Sequence, residues 1–271
     1  MTTPITRKNN LMNTNSILII GGHDPSGAGL QADIETSVVN GCHSVSALTC
    51  ITAQSTSSVD FVNPVSSQEF SSKMNSILMD FRPSVIKIGL VPSFELCEEI
   101  HLFISGLDYE TKIVVDPIIW SGSGKPLIKK TLTTGLRKFL IPNATLLTPN
   151  RFELLKLTQT NDLISSLESL FKHGVKNILA TDIFNNKKII TNAYASTGTD
   201  KIVYYSVPRI SGDFHGTGCT LATAIACGMA KNKNIEQSIL DAHHFTNTAV
   251  LNAYDFGLSQ KLPNRSVHLK R

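Results

Sequence analysis

The chain has 271 residues, 41% hydrophobic and 17% charged, which is the composition of a globular protein long enough to bury a sizeable core and excludes a low-complexity or disordered chain. Its net charge of +4 comes from 25 basic and 21 acidic residues. Part of that charge falls at the ends, at Arg7, Lys8, Arg265, Lys270 and Arg271, where it reads as solvated and argues against a nucleic-acid surface.

Residues 16–22 are a short apolar run ending in glycines, the pattern of a buried central strand. The loop 23–29 follows, then a helix over 30–40 closed by Gly41. A second apolar strand at 44–52 leads into Ala53, Gln54, Ser55 and Thr56. The spacing of Phe70, Met74, Ile77 and Leu78 predicts a helix over 66–81, ended by Pro83. Residues 85–89 read as a strand, after which Ser93 caps a helix reaching Ile104, with Glu95 in its first turn. The strand 112–116 closes on Asp116. A helix around 132–140 precedes a strand at 144–147, which meets Thr148, Pro149 and Asn150. Helices at 152–157 and 163–173 are expected next, then a strand at 177–180 and a polar turn at 185–188. Residues 189–193 and 202–207 alternate as a meander, and 235–253 forms one long closing helix.

Strand and helix alternate almost throughout, which calls for an α/β fold of three layers with a mostly parallel central sheet. One domain over 16–258 is expected, between a flexible tail at 1–15 and a second tail at 259–271. Five scattered cysteines with no Cys-x-x-Cys pair speak against a disulfide framework or zinc site and fit a reducing compartment. Residues 1–15 lack the apolar core of a signal peptide, and no apolar run is long enough for a bilayer. A cytoplasmic location with no membrane or nucleic-acid partner is therefore expected.

Ligands of such folds gather beyond the carboxyl ends of the strands. Asp24, Asp33, Gln54, Asp116, Asn150 and Glu153 all fall there, as does the stretch Ser-Gly-Asp-Phe-His-Gly-Thr-Gly-Cys-Thr at 211–220. In that stretch Gly216, Thr217, Gly218 and Cys219 open a helix of small apolar residues, so unpaired amides and the positive dipole end suit an anion. The same field is expected to favour thiolate at Cys219. Other patterns fail. Gly122-Ser123-Gly124-Lys125 has neither the first glycine nor the final Ser or Thr of a phosphate loop. Gly27-Ala28-Gly29 lacks a third glycine, and His243-His244 are adjacent on a helix and do not share a face for a metal. A Gly-x-Ser-x-Gly elbow is absent.

Taken in order, Gly22 to Asp33, Ala53-Gln54-Ser55-Thr56, Lys87-Ile88-Gly89-Leu90, Val115-Asp116-Pro117, Thr148 to Glu153 and His215 to Thr220 resemble one family. It is the hydroxymethylpyrimidine/phosphomethylpyrimidine kinases of thiamine biosynthesis, ribokinase-like in fold, and the resemblance covers roughly 16–255. It implies ATP-dependent phosphorylation of 4-amino-5-hydroxymethyl-2-methylpyrimidine and then of its monophosphate, with Mg²⁺. Gln54 is implied to bind the pyrimidine, its amide matching a ring nitrogen beside an amine. Gly22 and Leu90 would line that substrate, and Asp33 would order the loop over it. The amides of Gly216, Thr217, Gly218 and Cys219 would form the anion hole, and Cys219 would be the general base. Asp116 and Glu153 are the implied acids around Mg²⁺ and the phosphates, with Asn150 and Thr181 on the nucleotide side. A homodimer is implied as well. Two departures stand out. The first loop is one glycine short, and Thr181-Asp182-Ile183-Phe184 replace a Lys-Gly-Gly-His, losing a cation and adding a negative charge against nucleotide. A kinase of pyridoxine-type vitamers or hydroxyethylthiazole, and a pyrimidine-binding protein without catalysis, remain open at this point.

Overall fold

The apolar runs of the sequence become the middle of one sheet. The computed structural model describes residues 15–119 and 131–269. Strands β1 (Ser16–His23), β2 (His43–Gln54) and β4 (Val85–Ile88) run parallel with β5 (Lys112–Val115), β6 (Leu146–Leu147) and β7 (Asn177–Ala180). Three antiparallel strands complete the edges: β3 (Val59–Pro64) beside β2, then β8 (Ile189–Ser196) and β9 (Ile202–Pro208) beyond β7. The order is β3-β2-β1-β4-β5-β6-β7-β8-β9.

Ile17, Leu18, Ile19 and Ile20 are all fully buried, which explains an unbroken apolar run. Ile17 and Ile19 face a layer containing α1 (Gly29–Val39), α7 (Thr217–Ala230) and α8 (Ile235–Leu251). Leu18 and Ile20 face the layer of α2 (Ser67–Asp80), α3 (Phe94–Ser105), α5 (Arg151–Thr158) and α6 (Leu163–Lys172). Between α3 and α5 in the chain lies α4 (Thr131–Gly135). The expected three-layer α/β/α arrangement with a mostly parallel sheet is the one observed. Because β1 sits between β2 and β4, the chain departs to opposite sides of it. That reversal opens a crevice at the carboxyl ends of the strands.

The differences have local causes. β3 was not anticipated: an edge strand with Asp60, Asn63 and Pro64 carries little apolar signal. The helix expected at 132–140 is α-helical only to Gly135, then widens into a π turn over Leu136–Leu140 and tightens into a 3₁₀ turn over Ile141–Asn143. Pro142 cannot continue the helix, having no N–H to give. Residues 259–269 are not a solvated tail. Gln260 and Arg265 are buried, and Arg265–His268 forms a 3₁₀ turn packed beside α8 and α1. The rejected Gly122-Ser123-Gly124-Lys125 stretch, the end at 1–14 and the basic pair at 270–271 lie outside the described residues. Among the described residues no helix is long and apolar enough to cross a membrane.

Candidate active site

Among the described residues, two helices open onto the crevice without a side-chain cap: α1 after Ala28 and α7 after Gly216. By contrast, Ser66, Ser93, Asn150, Asp162 and Asn234 cap α2, α3, α5, α6 and α8 with their own side chains. An uncapped start leaves backbone donors and the positive dipole end available to an anion. The two starts touch. Gly216 has φ +83°, and a Cβ there would lie 2.8 Å from the Gly27 carbonyl oxygen. Only glycine lets the two loops approach this closely.

On the other side of this contact lies a polar cluster. Gln54, the last residue of β2, donates through Nε2 to Asp24 and lies 2.8 Å from His215 Nε2. His215 Nε2 is 2.6 Å from Asp24 Oδ2, while the backbone N–H and hydroxyl of Ser26 donate to Asp24 Oδ1 at 2.7 and 2.6 Å. Burial pushes the Asp24 carboxyl up, but His215 and the two Ser26 donors outweigh it and hold the acid below its ordinary value. Asp24 is therefore an acceptor-only carboxylate beside the Gln54 amide. Gly22, Leu90, Gln54 and Cys219 line one cleft of about 1250 Å³, together with Gly216 and Thr181. A Cβ at Gly22 would come within 2.6 Å of Cys50 Sγ, so the cleft wall is close-packed there.

Beneath Cys219 the wall is charged. Lys87, fully buried in β4, donates to both Asp33 oxygens at 2.8 and 3.0 Å. Thr223, one turn below Cys219 on α7, donates to Asp33 Oδ1 at 2.7 Å. Asp33 is thus fully buried and committed to Lys87 and Thr223. This corrects the expectation that it orders a loop over the substrate: its carboxylate belongs to the layer behind the cleft wall. The thiolate expected at Cys219 is also corrected. Burial pushes the thiol up to about 12; Lys87 pulls it down, and Asp33 and Asp116 push it up. Desolvation outweighs the helix end.

Asp116 follows β5 and Glu153 sits in the first turn of α5; both are buried. Burial raises both acids, Lys87 pulling Asp116 back and the charge of Asp116 raising Glu153 further. Glu153 accepts the N–H of Asn150 at 2.9 Å, and Asn150 Oδ1 accepts the N–H of Glu153 at 3.0 Å. This reciprocal capping box ties both residues to the start of α5. Asp116 Oδ2, in contrast, is buried with no hydrogen-bond partner among the described residues. Thr181 follows β7 directly and pairs with Asn150 at the cleft edge. The added charge at Asp182 is balanced: Arg209 forms an ion pair with it. A pair of oxygen donors with one oxygen unpartnered fits a hard divalent cation that takes its remaining oxygens from phosphate and water. Among the described residues no group of three or more His, Cys, Asp or Glu could hold a metal on protein ligands alone.

The geometry thus brings Gln54, Gly22, Leu90, Asp116, Thr181 and the 216–219 stretch to one cleft, and moves Asp33 behind it. The roles of Asp24, His215, Lys87 and Arg265 were not assigned from the sequence. A lone lysine inside the apolar run Val-Ile-Lys-Ile was a usable signal for Lys87.

A model of the family described as phosphomethylpyrimidine kinase matches residues 24–264. The chain is 26% identical to the hydroxymethylpyrimidine/phosphomethylpyrimidine kinase of Haemophilus influenzae over 91% of this chain and 95% of that one. It is 30% identical to a probable thiamine biosynthetic bifunctional enzyme of Oryza sativa subsp. japonica, over 88% of this chain but only 45% of the rice protein. Among solved structures, the phosphomethylpyrimidine kinase of Clostridium difficile matches with a TM-score of 0.75 at 27% identity, covering 87% of this chain and 99% of that one. The pyridoxal kinase of Staphylococcus aureus in complex with pyridoxal matches in fold, with a TM-score of 0.84 at 23% identity and 95% of both chains covered.

Proposed function

Because the chain belongs to the phosphomethylpyrimidine kinase family, we propose that its cleft transfers phosphoryl groups from ATP to 4-amino-5-hydroxymethyl-2-methylpyrimidine and then to the monophosphate. One observation carries the assignment of residues. The uncapped start of α7 and the Gln54–Asp24–His215 cluster line the same cleft, so an anion and a polar heterocycle have adjoining seats.

Phosphoryl transfer asks a protein chiefly for positioning and for charge set against the transferring oxygens. The amides from Gly216 to Cys219 receive those oxygens. Gln54 offers a donor and an acceptor on one plane to the ring, and the Asp24 carboxylate, accepting from its Nε2, holds that amide in place. Cys219 faces the alcohol and, as thiolate once its own proton has left to solvent, takes the alcohol's proton as that oxygen bonds to phosphorus and the bond to ADP breaks. In the protein alone that sulfur holds its own proton, since burial places its pKa at about 12. A divalent cation held by Asp116 and Glu153 would supply positive charge to the phosphate oxygens and offset a carboxylate that opposes a Cys219 thiolate. Thr181 supports the nucleotide side, where the Arg209 pairing keeps Asp182 from opposing it.

The test is product analysis after incubation of the hydroxymethylpyrimidine with Mg-ATP, resolving mono- from diphosphate. Appearance of monophosphate and then diphosphate is expected. Turnover of pyridoxal in strong preference to the pyrimidine, or binding of the pyrimidine without any product, overturns the reading.

A further inference from the structure

The chain after α8 doubles back across the cleft rim. Tyr254 and Leu262 exchange backbone hydrogen bonds at 2.8 and 2.9 Å, closing residues 254–262 into a strap. The His215 N–H donates to the Lys261 carbonyl at 2.9 Å, and Lys261 donates to the Asp213 carbonyl at 2.8 Å. The Gln260 N–H reaches the Thr56 carbonyl at 3.3 Å, two residues past Gln54. The strap therefore runs along the segment that enters α7 and touches the loop that leaves β2.

Its end is anchored by one side chain. Arg265 is only 4% exposed. Its Nη2 donates to the Gly27 carbonyl, its Nε to the Thr220 hydroxyl and its Nη1 to Glu35 Oε2, each at 2.9 Å. Thr220 passes the link on, donating to the Gly216 carbonyl at 2.7 Å. A Cβ on Gly216 would stand 2.8 Å from Arg265 Nη2, so the guanidinium lies directly behind the turn that opens α7. Two of its three partners are neutral oxygens, the Gly27 carbonyl in the loop before α1 and the buried Thr220 hydroxyl in the first turn of α7. The planar fork of arginine presents donors from three separate nitrogens at fixed angles, whereas lysine carries its three on one nitrogen at the end of a flexible stem.

We propose that Arg265 is a positioning residue for phosphoryl transfer. It fixes the loop before α1, which borders the alcohol, against the first turn of α7, which receives the phosphoryl group. The proposal rests on the reading of the site given above. Misplacement of reacting groups by about 1 Å costs on the order of 100-fold in rate, so the loss belongs in turnover more than in affinity.

The experiment compares Arg265→Ala and Arg265→Lys with the parent protein for kcat, both KM values and backbone amide exchange. For R265A, kcat is expected to fall by about 100-fold with KM for pyrimidine and Mg-ATP within about threefold, and millimolar guanidinium to restore part of the turnover. R265K is expected to stay well below the parent, because its three N–H donors sit on one nitrogen and cannot span both segments. A kcat within about threefold of the parent, or a loss confined to KM, overturns the proposal. If R265A does not fold, R265K decides on the same readings. Amide exchange reads the clamp without reference to the reaction: faster exchange at 27–29 and 215–220 in the variant supports it, and unchanged exchange overturns it. Parent protein that forms no phosphorylated pyrimidine overturns the assigned reaction instead, and the clamp is then judged on exchange alone.

Discussion

Helices α5 and α7 both begin at the edge of the same cleft, yet they begin in opposite ways. The first donors of α5 are taken: Asn150 and Glu153 close on each other in a capping box, and the Arg151 N–H goes to the Thr181 carbonyl. The first donors of α7 have no side-chain cap among the described residues, and its N-cap is a glycine in a left-handed turn. A helix that satisfies its own start is built for stability, and one that leaves it open has donors to lend. The contrast also redistributes the roles expected of the sequence. Asn150 and Glu153 look from the sequence like nucleotide ligands, and the structure gives both a structural task first.

The contrast breaks most completely at Gly216. Gly216→Ala places a Cβ within 2.8 Å of the Gly27 carbonyl and of Arg265. It is expected to lower kcat/KM by about 100-fold or more in a steady-state kinase assay, since the receiving amides shift. Cys219→Ala keeps the amides and removes the sulfur. Turnover should fall by about 100-fold while calorimetry finds pyrimidine affinity within about threefold; unchanged turnover removes the proton-accepting role. On the capped side, Asn150→Ala should cost about 1 kcal/mol, read as a Tm lower by about 2–4 °C. A rate loss matching that of Gly216→Ala would erase the distinction between the two helix starts.

The smallest effect concerns α8, another capped helix. His243 is buried against Tyr205 and Asn192, and burial, followed by the charge of His244, pushes its pKa down to about 4. The folded value lies below the ordinary 6.5, so the unfolded chain binds more protons between them. That contribution to stability is present above about pH 6.5 and is lost as pH falls toward about 4. Denaturant unfolding at pH 8 and pH 6 should differ by about 0.5–1 kcal/mol more in the parent than in His243→Asn.

How much the sequence revealed follows the range of the interactions concerned. Ile17 to Ile20 were legible as a strand because burial on both faces leaves an unbroken apolar run, and Val85 to Ile88 because Lys87 alone interrupts one. The glycine stretch at 216–218 and Gln54 at a strand end were legible because turn chemistry is local. Arg265 was not, since its three partners lie 45, 230 and 238 residues away in the chain. Nothing within its own neighbourhood marks it as buried. The pKa of Cys219 was misjudged for a related reason: its position in the helix is local, but the packing that dries it comes from Ala28 and Ala32, far off in sequence.

The ion pair of Lys87 and Asp33 carries a consequence for descent. Both charges are sealed from water, so replacing either one alone strands the other at a cost of about 3–5 kcal/mol. Domains have only about 5–15 kcal/mol in hand, so most single-step departures pass through a chain that scarcely folds. Lineages derived from this protein can shed the pair together or keep it, but they have almost no viable halfway ancestor.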